Sequence, residues 1–295
     1  MEFLRPLLLL LLCLVSEARV TTTAISDSAT LKRIMESGTV KIGYRSDAKP
    51  FSYFENGKVQ GYVVDLCKQI VDDLSLELQK PLQTVTVEVN RQNRLSMVAS
   101  GQIDLECGST TVTSNRQRDI AFSLNTYVTS TRLLTRKSTQ INNGDHRFAG
   151  LNGGTIAVTA NTPHESQLAL FMQGIDYKLL RVNSIAEGVN AVLTGKAQAY
   201  VQDDILLQDG LRAIGSAAKE MAISSDYLSV EPYSIGLVRG DTRFLTLVNK
   251  SLRKQFSGGY ADNRLSYWLR DRGYAVNNLA EQNLRSPATA IAMHD

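Results

Sequence analysis

Histidine is scarce in this chain of 295 residues: His146, His164 and His294 are the whole supply. Cysteine is as rare, with Cys13, Cys67 and Cys107, and tryptophan occurs once. No His-x-x-x-His or Cys-x-x-Cys pair sets out metal ligands, no Gly-x-Ser-x-Gly turn presents a nucleophile, and no Gly-x-Gly-x-x-Gly loop follows a strand. No metal and no cofactor is therefore expected. Six prolines and twenty glycines exclude collagen-like and low-complexity classes. The net charge of +3, on 32 basic and 29 acidic residues, carries no block of one sign that would track a phosphate backbone, so nucleic acid is not an expected partner. A mean hydropathy of −0.13 excludes a polytopic membrane protein.

What is present is ordinary globular material. Hydrophobic residues make up 43% and charged residues 21%, enough apolar surface to form one large domain or two medium ones. The first eighteen residues stand apart as an expected signal peptide. Met1–Pro6 carries one Arg, Leu7–Val15 is an apolar run less than half the length of a membrane span, and Ser16-Glu17-Ala18 ends in the small residues a signal peptidase reads. Leu12 before Cys13 argues against a lipid-attachment site. Cys67 and Cys107 then remain, and in an oxidising compartment they could pair, although spacing in sequence does not decide it.

The rest alternates strand and helix, twice. Gly38–Tyr44 reads as a strand, Tyr62–Leu78 as an amphipathic helix, Thr84–Val89 as a strand, Arg94–Ser100 as a helix stopped by Gly101, and Ile103–Glu106 as a strand. A second unit repeats the pattern from Gly154–Thr159 through a helix near Glu165–Phe171 and the segment Gly188–Leu193, stopped by Gly195, to Ala197–Val201. The expected fold is α/β with two Rossmann-like lobes and a cleft at the carboxyl ends of their strands. The extended runs Phe122–Thr135 and Pro232–Val238 make a two-stranded hinge. Helices over Thr242–Phe256 and Leu265–Arg272 return to the first lobe. The expected bounds are 30–130 plus 236–275 for lobe 1 and 131–235 for lobe 2, with 276–295 a peripheral polar tail.

Several short strings, in order along nearly all of this length, carry a resemblance. Lys49-Pro50-Phe51-Ser52-Tyr53, Gln92-Asn93-Arg94, Glu106-Cys107-Gly108-Ser109-Thr110-Thr111, Asn115-Arg116-Gln117, Ala121-Phe122-Ser123, Thr131-Arg132-Leu133-Leu134-Thr135 and Asp203-Asp204-Ile205-Leu206-Leu207 resemble the periplasmic glutamate/aspartate-binding proteins. Those belong to family 3 of the amino-acid solute-binding proteins of ABC transporters and have the type II periplasmic binding protein fold.

The chemistry of the matching residues suits that ligand class. Arg116 can grip an α-carboxylate bidentately, assisted by backbone N–H groups at Thr111 and Thr162 if these open helices. Asp203, with acceptors at Ser109 and Thr111, would hold the α-ammonium; its neighbour Asp204 is the rival, and a plain helix cap is the other role open to Asp203. The resemblance assigns Arg45, Arg94 and Thr159 to a side-chain carboxylate. Two departures bear on ligand choice: Arg91 and Ile185 stand where the family has a serine and a histidine. Phe51 and Tyr53 would wall the site with aromatic faces, or equally fill a core.

The resemblance implies a receptor, not an enzyme. It is expected to be a monomer in the periplasm that captures an amino acid, glutamate or aspartate, by lobe closure and delivers it to an inner-membrane ABC permease. His164, in Thr162-Pro163-His164-Glu165, reads as a first-turn helix residue rather than a base, having no partner evident in sequence. Two rivals stay open: a secreted enzyme of the same fold, dehydratase-like, and a binding protein for another polar amino acid.

Overall fold

Ser28 accepts a hydrogen bond from the Leu31 N–H and so caps α1 (Ala29–Ser37), which Gly38 ends in the left-handed conformation at φ 68°. The computed structural model describes residues 27–142 and 147–288; the expected leader, His146 and His294 lie outside them. After α1 come β1 (Thr39–Arg45), a small antiparallel sheet of β2 (Asp47–Ala48), β3 (Ser52–Glu55) and β4 (Lys58–Gln60), and then α2 (Tyr62–Glu77). β5 (Gln83–Val89), α3 (Arg94–Ala99), β6 (Leu105–Glu106) and α4 (Ser114–Asp119) complete the first half. The long β7 (Ile120–Arg136) leads to the second, made of β8 (Gly154–Thr159), α5 (Pro163–Phe171), β9 (Tyr177–Val182), α6 (Ile185–Leu193), β10 (Ala199–Asp203), α7 (Asp204–Ala213) and β11 (Met221–Ile223). The chain returns through β12 (Ser229–Val238) to α8 (Thr242–Ser257), α9 (Tyr260–Trp268) and α10 (Asn278–Arg285).

The main sheet runs β5-β1-β6-β12-β7-β10-β8-β9, with β11 on the edge of β7. β5, β1 and β6 are parallel to one another, as are β10, β8 and β9; between these two parallel triplets lies the antiparallel pair β12 and β7. Strands covered on both faces read as unbroken apolar runs. In the second half Ile156 and Val158 pack with Leu168 and Met172 on one face, while Ala157 packs with Val189, Val192 and Tyr200 on the other. The first half is built on α2, whose Val63, Leu66 and Ile70 meet Phe244, Leu252 and Leu265 of α8 and α9.

Among the described residues β7 and β12 alone pass from one half to the other, and their register slips twice, at Tyr233/Ser234 and Ser234/Gly236. Each slip gives β7 one extra residue, a bulge that bends the strand and leaves backbone groups off the ladder. Here the expected peripheral tail is corrected. α10 carries buried Ala280 and Asn283, Asn283 Nδ2 donates to the Asn125 carbonyl at 3.1 Å, and the Asn125 N–H reaches the Ala288 carbonyl at 3.1 Å. Asn125, opposite Ser234 between the two slips, thus has both its backbone groups bonded to the carboxyl-terminal segment. Sequence periodicity gave no sign of this, because α10 buries few apolar side chains and is held by an amide.

Cys67 and Cys107 form a disulfide, with their Cα atoms 6.4 Å apart. It fastens α2 to the segment that follows β6, directly before Gly108.

Candidate functional site

The carboxyl ends of β1 and β6 bring the first cations together. Arg45 closes β1, its N–H bonded to Ser52 Oγ at 2.9 Å and its guanidinium paired with Asp47. Asp47 also takes Arg91 Nη1 at 2.9 Å. Arg94 opens α3 and donates to Thr110 Oγ1 at 2.5 Å, with Glu106 at 3.8 Å; the Thr110 hydroxyl in turn donates to Glu106 Oε2 at 2.6 Å. Arg45 and Arg94 are 2% and 4% exposed, and burial, then the repulsion between them, pulls Arg45 down to about 10; burial pulls Arg94 to about 10 as well. Both stay charged at neutral pH. Burial alone would raise Asp47, but Arg45 and Arg91 hold it below the usual carboxylate range. Gly108 lets this cluster form, since a Cβ there would stand 2.5 Å from Glu106 Oε1 and 3.0 Å from Arg45 Cγ.

Thr113 caps α4 through its hydroxyl and thereby aims Arg116, half-buried, back over the preceding loop, where Nη1 donates to the Thr111 carbonyl at 2.7 Å. The second half contributes the end of β8 and the junction of β10 with α7. Asp203 stands at that junction without using its side chain to cap the helix, so the plain cap role is excluded. Its carboxylate accepts from Tyr233 Oη at 2.5 Å and meets His164 Nε2 at 3.1 Å. Behind it Glu231 accepts from Ser229 at 2.6 Å and Thr131 at 3.1 Å. His164, Asp203 and Glu231 each present an atom within 4.8 Å of the others, a buried charge cluster knit into β12. Burial pulls the His164 imidazole down, but Asp203 outweighs it and the net displacement is upward; burial raises Glu231.

One pocket collects Arg45, Arg91, Arg94, Ser109, Thr111, Arg116, Thr162 and Asp203, all expected from the sequence, on walls from both halves. Arg91 Nη1 spans the two, reaching the Asn183 carbonyl at 3.2 Å. Ile185 lines the same pocket. Four expected residues are elsewhere. Thr159 is fully buried behind the wall on Tyr200 Oη at 2.6 Å, and Gln202, whose Nε2 lies 3.2 Å from Thr159 Oγ1, faces the pocket in its place. Phe51 is enclosed by Tyr62, Tyr127 and Tyr233, and Tyr53 packs edge-on to Trp268 at 5.9 Å, so both are core residues. Asp204 accepts from Thr129 at 2.5 Å and Ser130 at 3.0 Å and fastens α7 to β7. His164 lines the pocket as well, in the first turn of α5 as expected but with an acidic partner that the sequence did not reveal.

Two parallel α/β lobes joined by an antiparallel two-stranded hinge, with a polar pocket at the strand ends, constitute the type II periplasmic binding protein fold. The chain belongs to the bacterial extracellular solute-binding proteins, family 3, whose family pattern matches residues 40–271. It is 31% identical over 258 residues to the glutamate/aspartate import solute-binding protein of Escherichia coli K12, covering 86% of this chain and 84% of that one. It is 30% identical to the L-glutamate/L-aspartate-binding protein of Pseudomonas aeruginosa, over 82% of this chain and 80% of that one. Among solved structures it is similar to an ancestral amino acid-binding protein described as a precursor of cyclohexadienyl dehydratase, with a TM-score of 0.69, 24% identity, and coverage of 81% of this chain and 99% of that one. Among the described residues no helix is long and apolar enough to cross a membrane.

Proposed function

We propose that this protein is the periplasmic receptor of an ABC importer, binding an acidic amino acid, glutamate or aspartate, between lobes formed by residues 30–130 with 236–275 and by residues 131–235. The observation that carries the reading is the gathering of four guanidinium groups and one carboxylate on a single pocket, with walls from both halves. An acidic amino acid presents two carboxylates and one ammonium, which matches that set in sign. Arg116 takes the α-carboxylate, with Thr111 and Thr162 beside it. Asp203 and the Ser109 and Thr111 oxygens take the ammonium. Arg45, Arg91 and Arg94 face the side-chain carboxylate. Contacts from both lobes favour a closed form, which a membrane permease would recognise. The names of the relatives support the ligand class, and residues 1–18 would direct export.

Isothermal titration over the common amino acids tests this. Glutamate or aspartate should bind and glutamine should bind at least tenfold more weakly, because an amide leaves guanidinium charge unbalanced in a desolvated site. Equal affinity for glutamate and glutamine would sink the acidic reading and leave another polar amino acid. A second reading, an enzyme of the same fold, draws on one observation: the buried His164–Asp203 pair in the pocket, a base with an orienting acid. Recovery of the ligand unchanged, by mass spectrometry after long incubation, argues against it.

A further inference from the structure

Resting on the amino-acid reading above, the ammonium subsite already contains an ionisable group that pairs with its carboxylate. His164 is 2% exposed, directs Nε2 at Asp203 Oδ1, and lines the pocket beside Ile185 and Gln202. Asp203's other oxygen is occupied by Tyr233 Oη. The remaining groups that bear on the imidazole are Glu231 on β12, whose Oε2 is buried without a hydrogen-bond partner among the described residues, and Arg116 on α4, which opposes its charge. His164 Nδ1 is likewise buried without a partner among the described residues. Two carboxylates against one opposing guanidinium favour the imidazolium as long as nothing else neutralises Asp203.

We infer that His164 is the resident counter-ion of Asp203, so that pH decides whether this pocket prefers α-amino dicarboxylates or dicarboxylates lacking the amino group. A ligand with an ammonium places a second cation on Asp203, a few ångströms from the imidazole, and like charges that close expel the weaker proton. Binding an amino acid therefore releases a proton from His164 to solvent, and its affinity rises with pH. A 2-oxo dicarboxylate of the same length leaves the ammonium subsite unfilled. In most such sites that would strand a buried carboxylate, which is unfavourable; here Asp203 keeps His164 and Tyr233, so nothing is stranded. Such a ligand is compatible with the imidazolium and is favoured at low pH.

The test is isothermal titration of the full chain with L-glutamate and with 2-oxoglutarate at about pH 5.5, 7 and 8.5, a range spanning the imidazole, in pairs of buffers that differ in ionisation enthalpy. Glutamate affinity should rise by up to tenfold per pH unit through the His164 titration, with proton release approaching one per ligand. The 2-oxoglutarate affinity should stay level or fall, so the ratio of the two shifts toward glutamate. His164→Gln keeps an amide donor for Asp203 and cannot titrate, so the ratio should lose its pH dependence; the wild-type proton count stands if that variant misfolds. Glutamate binding with no proton exchanged and a constant ratio overturns this inference alone, as does undetectable 2-oxoglutarate binding at about pH 5.5. No binding of either ligand at any pH overturns it together with the reading of the site.

Discussion

At the scale of single residues, the four pocket arginines differ most in what surrounds them. Arg116 is half-buried within a short helix, whereas Arg94 sits in the core against Glu106 and Thr110. Arg116→Ala should therefore fold normally and lose about 2 to 5 kcal/mol of amino-acid binding, the cost of leaving a bound carboxylate unpaired; calorimetry and a thermal melt on the same sample check both halves. Arg94→Ala should lose affinity and also about 3 to 5 kcal/mol of stability, because it leaves the buried Glu106 carboxyl without its cation, read as a lower denaturant midpoint. The unliganded protein should respond to pH through His164. Its folded value lies above the unfolded 6.5, so its contribution is complete below about pH 6.5 and is lost as pH rises through the folded value. A series of denaturant melts should show that fall, flattened in His164→Gln. Charged residues with one evident use were legible in sequence as pocket residues: Arg45, Arg91, Arg94, Arg116 and Asp203 line one pocket. Thr159, Phe51, Tyr53 and Asp204 were not, since whether a hydroxyl, ring or carboxylate faces a pocket depends on partners such as Tyr200, Tyr127 and Thr129 that no local pattern announces.

At the scale of elements, the repeated strand-helix order was legible because two-sided burial makes apolar runs and glycine stops mark helix ends. Boundaries moved where caps act. Ser184 starts α6 at Ile185, three residues before the expected Gly188, and β6 shrinks to Leu105–Glu106. α10 was missed because it is held by a polar side chain, Asn283, that reaches a strand far away in sequence. The Cys67–Cys107 bond closes a loop with a sequence separation of 40, for which chain-entropy arguments give about 4 kcal/mol. The double variant Cys67→Ser with Cys107→Ser should lower the unfolding free energy by about 2 to 4 kcal/mol and, because the bond precedes the Gly108–Thr113 loop, weaken ligand binding more than its distance from the pocket suggests. Equal melting temperatures with and without reductant would contradict this. Asn283→Ala removes the donor to the buried Asn125 carbonyl and should cost about 1 to 3 kcal/mol.

At the scale of the whole molecule, a receptor and an enzyme part company in what they do with bound ligand. Thermal protection should follow mass action, about 1.4 kcal/mol for each tenfold rise in ligand above Kd, with no product accumulating over many hours. Catalytic conversion would move His164 and Asp203 into acid and base roles. The bend of β7 at Asn125 has a practical consequence for such measurements. The carboxyl-terminal segment is moored to the backbone of Asn125 alone, on one of the two strands that join the halves, so under the proposed closure the tail of this chain would report on its hinge. A dye attached through Ser286→Cys, at an exposed position, should change emission when ligand is added, although it labels neither lobe's binding wall. By the same token, a carboxyl-terminal purification tag is fused to the segment that holds Asn125, and tagged and untagged protein need to be compared before any affinity is assigned to the pocket.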